Sequence, residues 1–456
     1  MLVCIQIVLN PKAINTNLLY LNNSNIAQLI CIHKMIKLFQ TKNISYYISC
    51  YFAVTAIIGC LRMLGFDWIW YLYAIFNLCI VIFVYRYMQT EANTFDKFFL
   101  FGIILIIAPS LFIDYDPDLS YNAIKGVFLS MPLFFAGRSK FFCDFNVFNR
   151  MIIPWSFAAL AGVILYFTSP SWYMDMKLAE TEGEVSSNHL LEMSRLSSFW
   201  KYPYWISYGS GLLYLYILFV SFKNKKFTRL ALSLSLCCWF IMFLAQQRAP
   251  MFFSIFAMFG YFVLDNVKNG FKSSFRNGVI VTVLLIFAIG AYLITIIDTD
   301  MLMRFIEKVT QTSETSEFIS YRTDIFSDVA RRPVSIFGDG LGYFTLTENN
   351  NNVVITDHQY LKILHECGYF GSFIYFLLIV IPIIKGLKNF NDNMLELSVV
   401  AFYLFALNGA NCLQVNEQHP LIFWFCLGRL TNMHALNYKR NNDYSIDFLN
   451  FRRIAI

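Results

Sequence analysis

Arginines and one histidine stand out in the polar segments between long apolar stretches. Arg195 lies in EMSRLSSFWKYPYW (192–205), Arg248 lies in QQRAP (246–250), and Arg322 and His358 lie in one long polar segment. A guanidinium is always charged and presents a planar fork of donors that fits phosphate oxygens. Three such groups gathered at a membrane surface would bind a pyrophosphate and stabilise it as a leaving group.

Each arginine also has an ordinary structural explanation. Arg248 would then extend its side chain to the membrane surface, and the others would pair with nearby carboxylates. The short turn around Arg248 favours a binding role, because so short a connection holds the side chain against the helices. Arg331 and Arg332 add further positive charge to the long segment.

His358 precedes an apolar stretch and has three possible roles. Its unperturbed pKa of about 6.5 suits a general base. It could equally donate a hydrogen bond to a phosphate, or pair with a loop carboxylate. His365 and Glu366 lie two turns further along and are weaker candidates.

Three alternating glycines, Gly338, Gly340 and Gly342, occur in GDGLGYF. Glycine allows positive φ and a close approach of the backbone to a ligand, so these residues are candidates for substrate binding. A plain turn is the alternative. Residues 322–332 can form an amphipathic helix that Pro333 would end.

Composition shows which elements must position these residues. Of the 456 residues, 57% are hydrophobic and 14% are charged, whereas soluble domains carry about 25% charged residues. The sequence therefore predicts an all-α polytopic membrane protein with about 12 transmembrane helices, each of about 20 residues. The predicted spans are 45–64, 68–86, 97–113, 122–137, 151–168, 204–222, 230–247, 249–265, 278–297, 364–385, 394–412 and 419–434.

Charge in the connections orients these spans. The basic segment 223–229 is expected in the cytoplasm and the acidic segment 114–118 on the other side, as the positive-inside rule requires. Two longer loops, 169–203 and 298–363, then lie outside. The predicted cytoplasmic parts are 1–44, where translation is expected to start at Met35, and a basic tail, 435–456. The helices form groups at 45–168, 204–297 and 364–434.

Other classes of function find little support in the sequence. The net charge of +6 is spread over short loops and does not indicate a nucleic-acid partner. The eleven cysteines show no CxxC spacing, and no metal motif or cofactor is expected. The side of the membrane on which the two longer loops are predicted to lie, outside the cytoplasm, has no ATP or nucleotide sugars. Chemistry there must therefore use substrates that are already activated.

The order of these motifs resembles the O-antigen polymerase and O-antigen ligase superfamily. The resemblance runs from Arg195 to Gly371 and depends on order and topology more than on any single motif. Ser197 and Ser198 depart from it, because relatives often carry glycine after the Arg-Leu pair. The residues that carry the resemblance are Arg195, Arg248, Arg322, Pro333, Gly338, Gly340, Gly342, His358, Leu361, Glu366, Gly368 and Gly371.

The resemblance implies metal-independent glycan transfer on the periplasmic face of a bacterial inner membrane. It implies an undecaprenyl-pyrophosphate-linked oligosaccharide as donor, the lipid bilayer as surroundings and a chain-length regulator protein as a further partner. A polymerase is favoured, a ligase that transfers the glycan to lipid A core is the alternative, and a flippase ranks lower. In this hypothesis Arg248 and Arg322 hold the pyrophosphate, Arg195 assists, and His358 activates or orients the acceptor.

Overall fold

The computed structural model describes residues 47–48, 50–52, 54, 69–111, 130–143, 147–175, 196–197, 203–245, 247–269, 274–296, 331–342, 358–408, 413 and 418–441. Within these ranges the chain is mainly α-helical and contains no strand, which confirms the all-α prediction. Arg195 and Arg322 lie outside the described residues, as do most of the predicted span 45–64 and the segment 114–118.

Twelve α-helices have defined bounds in this part of the chain, and short 3-10 turns follow α2 and α3. They are α1 (Ile69–Thr90), α2 (Thr94–Ile107), α3 (Leu133–Arg138), α4 (Val147–Thr168), α5 (Pro203–Lys223), α6 (Arg229–Leu244), α7 (Arg248–Asn269), α8 (Ser274–Ile296), α9 (Gln359–Leu387), α10 (Phe390–Ala406), α11 (Gln418–Arg429) and α12 (Met433–Asn441).

Three helices of the described chain are long and apolar enough to cross a membrane. They comprise Tyr204–Lys223 in α5, Arg248–Val267 in α7 and Gln359–Leu387, which is all of α9. Each overlaps a predicted span, and together they indicate a membrane protein. The other predicted spans are not established. At 122–137, for example, the described part contains only the short helix α3 after a turn.

The three long helices differ in how much of their surface other helices cover. In α5, 94% of the apolar window is buried, whereas in α7 only 22% is. Helix α5 packs against α4, α6, α7 and α10, so it forms the centre of the bundle. The exposed apolar face of α7 is what a lipid-facing helix presents.

Glycines allow α3 and α11 to pack with their backbones in close contact. A Cβ added at Gly137 would lie 2.1 Å from the carbonyl oxygen of Phe425, and one at Gly428 would lie 2.0 Å from that of Phe134. Small residues at helix crossings have this effect in membrane proteins. This contact fixes α11 against the short helix α3.

Charged side chains, most of them buried, cluster at the end of the bundle where α3 and α9 finish. Arg138 forms an ion pair with Asp96, and the ring of Phe95 lies 3.6 Å from Lys385 Nζ and 5.2 Å from the guanidinium of Arg138. Arg429 donates to the Glu396 carboxylate at 3.1 Å. The alternation of spans predicts that Arg138 and Lys385 lie on the same side, and the structure brings both to Phe95.

Helix α9 is interrupted at Gly368, where φ is +67° and ψ is −174°. The interruption divides it into an N-terminal arm, residues 359–367, and a shaft, residues 369–387. At 1.5 Å per residue the shaft is about 28 Å long, which matches a hydrocarbon core of about 30 Å. The predicted span 364–385 therefore begins before the break, within the arm.

Candidate functional site

The candidate site lies at the end of the bundle opposite Lys385, around the arm of α9. It combines the glycine loop (residues 335–342), the arm, and the C-terminal end of α10. The amide of Gln359 donates to the carbonyl of Leu407 at 3.1 Å, and the hydroxyl of Tyr360 donates to the carbonyl of Leu404 at 2.7 Å. These bonds hold the start of α9 against α10.

The glycine loop docks on the break in α9 through main-chain hydrogen bonds. At a helix break, carbonyls and amides lose their helical partners and must find others. Here the loop supplies them. The bonds run from Asp339 N to His365 O at 2.8 Å, from Gly340 N to Glu366 O at 3.2 Å, from Tyr369 N to Ser335 O at 3.4 Å and from Phe370 N to Ile336 O at 3.0 Å.

Two glycines make this docking possible. A Cβ on Gly338 would lie 2.5 Å from the amide nitrogen of Gly368, and a Cβ on Gly368 would lie 2.3 Å from that of Gly338. Gly338, Gly340 and Gly342 all have positive φ, at 82°, 102° and 92°, a backbone conformation that the sequence pattern allowed for. The close approach at Gly338 is to the backbone of α9, and its role in substrate binding stays a prediction.

His358 is the N-cap residue of α9. Its Nδ1 atom accepts the amide N–H of Leu361 at 3.3 Å, which satisfies one of the free amides at the helix start. Because Nδ1 acts as the acceptor, the proton of the neutral imidazole is assigned to Nε2. In this geometry His358 is a hydrogen-bond donor through Nε2, and its Nδ1 lone pair is already used.

Burial lowers the pKa of His358 below its usual 6.5. Desolvation is the largest cause, and hydrogen bonds with its own backbone and with the Asn408 side chain oppose it. A lowered pKa keeps the ring neutral at pH 7. The neutral Nε2–H tautomer is therefore the form present near physiological pH.

The arm also buries an ion pair. Lys362 Nζ lies 3.7 Å from Glu366 Oε1, and the two residues are only 5% and 2% exposed. Their spacing of four places them on one face of the helix. Gln359 is fully buried beside them, and its Oε1 accepts the amide of Leu413 at 3.1 Å. The buried charged residues of α9 thus lie in the arm, before the shaft begins.

Arg248 is the first residue of α7, at the same end of the bundle. Helix α6 ends at Leu244, so the connection is as short as the sequence predicts. The first turns of α7 pack on the end of α10, where the ring centroids of Phe253 and Phe405 are 6.0 Å apart. The starts of α7 and α9 therefore both lie at the C-terminal end of α10.

The two helix starts at this end favour an anion, and the acidic residues of the site, Asp339 and Glu366, lie in the neighbouring glycine loop and arm. Neither α7 nor α9 has an acidic residue in its first turn, and a helix N-terminus carries partial positive charge. Arg248 adds a full positive charge at the start of α7. The arrangement can attract phosphate oxygens and donate hydrogen bonds to them.

The structure brings Arg248, His358 and the glycine run to one end, and leaves two predicted residues undescribed. Arg195 and Arg322 lie outside the described ranges. Leu196, which follows Arg195 in the sequence, donates its amide to the carbonyl of Leu244 at 3.1 Å. Leu244 closes α6 just before the turn that leads to Arg248.

Sequence reasoning missed Lys362, Gln359 and Asn408. The sequence did contain a pattern that could have indicated Lys362, because Lys362 and Glu366 are oppositely charged residues four positions apart beside a long apolar stretch. The contact between Asn408 and His358 joins residues far apart in the chain and gave no local pattern. No protein-family model matches the chain, and no curated protein matches it significantly.

Proposed function

We propose that the chain is an O-antigen polymerase of the bacterial inner membrane. It transfers a growing glycan from undecaprenyl pyrophosphate to an incoming lipid-linked repeat unit on the periplasmic face. The observation that carries the proposal is the pair of helix starts, with Arg248 on one and His358 on the other, neither of which has an acidic residue in its first turn. Such a site matches a pyrophosphate that stays attached to the membrane.

In this proposal the arginines bind and stabilise negative charge, and His358 orients the substrate. Arg248 and Arg322 hold the pyrophosphate and stabilise the negative charge that builds on it as the glycosidic bond breaks. Arg195 assists donor or acceptor binding. The Nε2–H of His358 exchanges its partner for a substrate oxygen and orients the substrate. The engaged Nδ1 atom favours this role over that of a general base.

The site would serve a ligase equally well, because the two reactions share the donor and differ only in the acceptor. The polymerase is preferred on composition, since Phe-, Tyr-, Ile- and Asn-rich chains resemble those encoded in variable surface-polysaccharide gene clusters. Deletion of the gene separates them. Loss of a polymerase leaves lipid A core capped with one repeat unit, whereas loss of a ligase leaves the core uncapped and accumulates lipid-linked polymer.

A lipid-linked-sugar flippase draws support from the broken helix α9 and from the Lys362–Glu366 pair, since transporters use both features. Transporters place them near the middle of the bilayer. Gly368 lies seventeen positions before Lys385, about 26 Å along a helix, which is close to the full hydrocarbon thickness. That depth favours chemistry at the membrane surface over transport through it.

The deletion strain also tests the proposal directly. Complementation with the wild-type chain should restore long polymer on lipid A core. A complemented strain that regains capping of the core without any change in polymer length would identify a ligase. Accumulation of lipid-linked repeat units on the cytoplasmic face of the deletion strain would identify a flippase.

A further inference from the structure

The docked glycine loop displays two large apolar side chains. Ile336 and Phe337 are 65% and 52% exposed, although the backbone beside them is held by hydrogen bonds to α9. An aqueous loop seldom leaves two adjacent large apolar residues uncovered. Something apolar is therefore expected to cover them.

The exposed pair continues an apolar stripe on the shaft of α9. The rings of Phe337 and Phe370 meet edge to face, with centroids 5.8 Å apart. From there the stripe follows the helical repeat along one side of the shaft. Its exposed members are Tyr369, Phe373, Phe376, Ile384 and Leu387. In a membrane-crossing helix, an exposed stripe of this kind contacts lipid.

The depth of the loop follows from the length of the shaft. Lys385 and Arg138 mark the charged end of the bundle at Phe95. Tyr369 lies about 24 Å further along the helix, within a hydrocarbon core of about 30 Å. The loop residues bonded to Tyr369 and Phe370 thus lie near the opposite boundary, where aromatic side chains collect.

Charge beside the pair fits the same location. Arg331 is exposed and Arg332 is half-buried, and only Pro333 and Val334 separate them from the loop. Arginines next to large apolar residues match the boundary between acyl chains and lipid phosphates.

We propose that the glycine loop is a membrane anchor, in which Ile336 and Phe337 insert into the interfacial region of the phospholipid leaflet. The anchor fixes the height of the loop, and of the arm of α9 to which the loop is hydrogen-bonded, relative to the bilayer surface. The anchor requires that the chain lies in a membrane but does not require enzymatic activity. The anchor can therefore be disproved while the proposed function stands, and the proposed function can be disproved while the anchor stands.

Depth-dependent fluorescence quenching tests the anchor. An environment-sensitive fluorescent amino acid is encoded at position 337, and the full chain is placed in nanodiscs of phosphatidylglycerol and phosphatidylethanolamine. Lipids that carry a quencher near the headgroup should quench the fluorescence of this label more strongly than lipids that carry the quencher deep in the acyl chain. The same label at position 376 is the matched control, and deep quenchers should dominate there.

A second label at position 336 guards against a local disturbance by the first. If both labels are quenched by iodide in water and by neither lipid quencher, while position 376 responds to lipid, the anchor does not exist. Self-quenching that rises with the number of labelled chains per disc, without lipid quenching, would assign the surface to a second copy of the chain and would also overturn the proposal.

Discussion

At the start of α9, the His358 ring caps the helix through Nδ1 and carries its proton on Nε2. Two substitutions separate these contributions. Asn is among the best N-cap residues, so His358→Asn should keep the cap, whereas His358→Ala should lose about 1 kcal/mol of stability. Both variants should lose long polymer, because neither has the Nε2–H donor.

Polymer length on lipid A core and thermal unfolding in detergent are the two measurements. The outcome that removes His358 from the proposed site is full polymer from His358→Asn, since capping alone would then explain the residue.

The lowered pKa of His358 gives a pH dependence with a definite sign. The folded pKa lies below the unfolded value of about 6.5, so the folded state binds fewer protons. Stability from this group is complete above pH 6.5 and is lost as the pH falls through 6.5 to the folded pKa. Protonation of Nδ1 also breaks the cap, because it converts the acceptor into a donor.

Polymer formation in reconstituted membranes should therefore be constant from neutral to mildly alkaline pH and fall under acid conditions. The His358→Asn variant should show a smaller pH-dependent change in unfolding temperature over the same interval, because this one contribution is removed. A wild-type unfolding profile that changes no more than that of the variant would contradict this account.

At the scale of elements, the glycine loop and the break in α9 form one unit, because each satisfies main-chain groups of the other. Gly368→Ala should destabilise this unit by about 1–3 kcal/mol from its backbone conformation alone, and the added Cβ would also press on the loop backbone. Gly338→Ala should act in the same way. Protease sensitivity of the loop and polymer length report the effect.

Gly260→Ala in α7 is the matched control, because a Cβ there meets nothing within 4 Å. It should leave polymer length unchanged and stabilise the helix slightly. Equal loop protection in Gly368→Ala and Gly260→Ala would show that the loop does not depend on the break.

Replacing the lysine of the buried ion pair in the arm should cost much more stability than replacing the lysine of an exposed ion pair. Lys362→Met leaves the Glu366 carboxylate buried without this partner, which should cost about 3–5 kcal/mol. The Lys362→Met/Glu366→Gln double variant should recover part of that loss. Lys140, which is 56% exposed and lies 3.9 Å from Glu91, is the control, and Lys140→Met should cost about 1 kcal/mol or less.

Thermal unfolding of the purified variants gives all three values. Similar losses for Lys362→Met and Lys140→Met would mean that the pair in the arm is solvated after all.

The elements also show how far sequence reasoning reaches. Helix type and the positive φ at Gly338 were predictable, because they depend on local composition. The break at Gly368 was not, because its free backbone groups bond to residues 335–340, about thirty positions earlier. A hydropathy window averages across such a break, which is why the predicted span 364–385 included part of the arm.

At the scale of the whole molecule, the bundle has two chemically different ends. One end contains buried ion pairs, such as Arg429–Glu396, together with basic side chains. Basic side chains are what the positive-inside rule expects of a cytoplasmic face. The other carries Arg248, His358 and the glycine loop. Charge in the connections predicted that Arg138 and Lys385 share one end. Which end faces the cytoplasm stays a prediction, and the number of spans depends on segments such as 122–137, where only α3 is described.

Arg229 and Arg248 offer a matched comparison between the two ends. Each is the first residue of its helix, but Arg229 is the last residue of the basic segment 223–229, which is predicted to be cytoplasmic. The proposed function requires positive charge only at the other end, so the two arginines should differ completely in their effect on activity.

The most direct test supplies purified chain in proteoliposomes with an undecaprenyl-pyrophosphate-linked repeat unit and measures the length of the glycan product. The account predicts a ladder of polymer from the wild-type chain and from Arg229→Ala, and no polymer from Arg248→Ala at equal protein content. Wild-type chain that moves the lipid-linked unit across the bilayer without lengthening it, or an Arg248→Ala ladder equal to that of wild type, would contradict it.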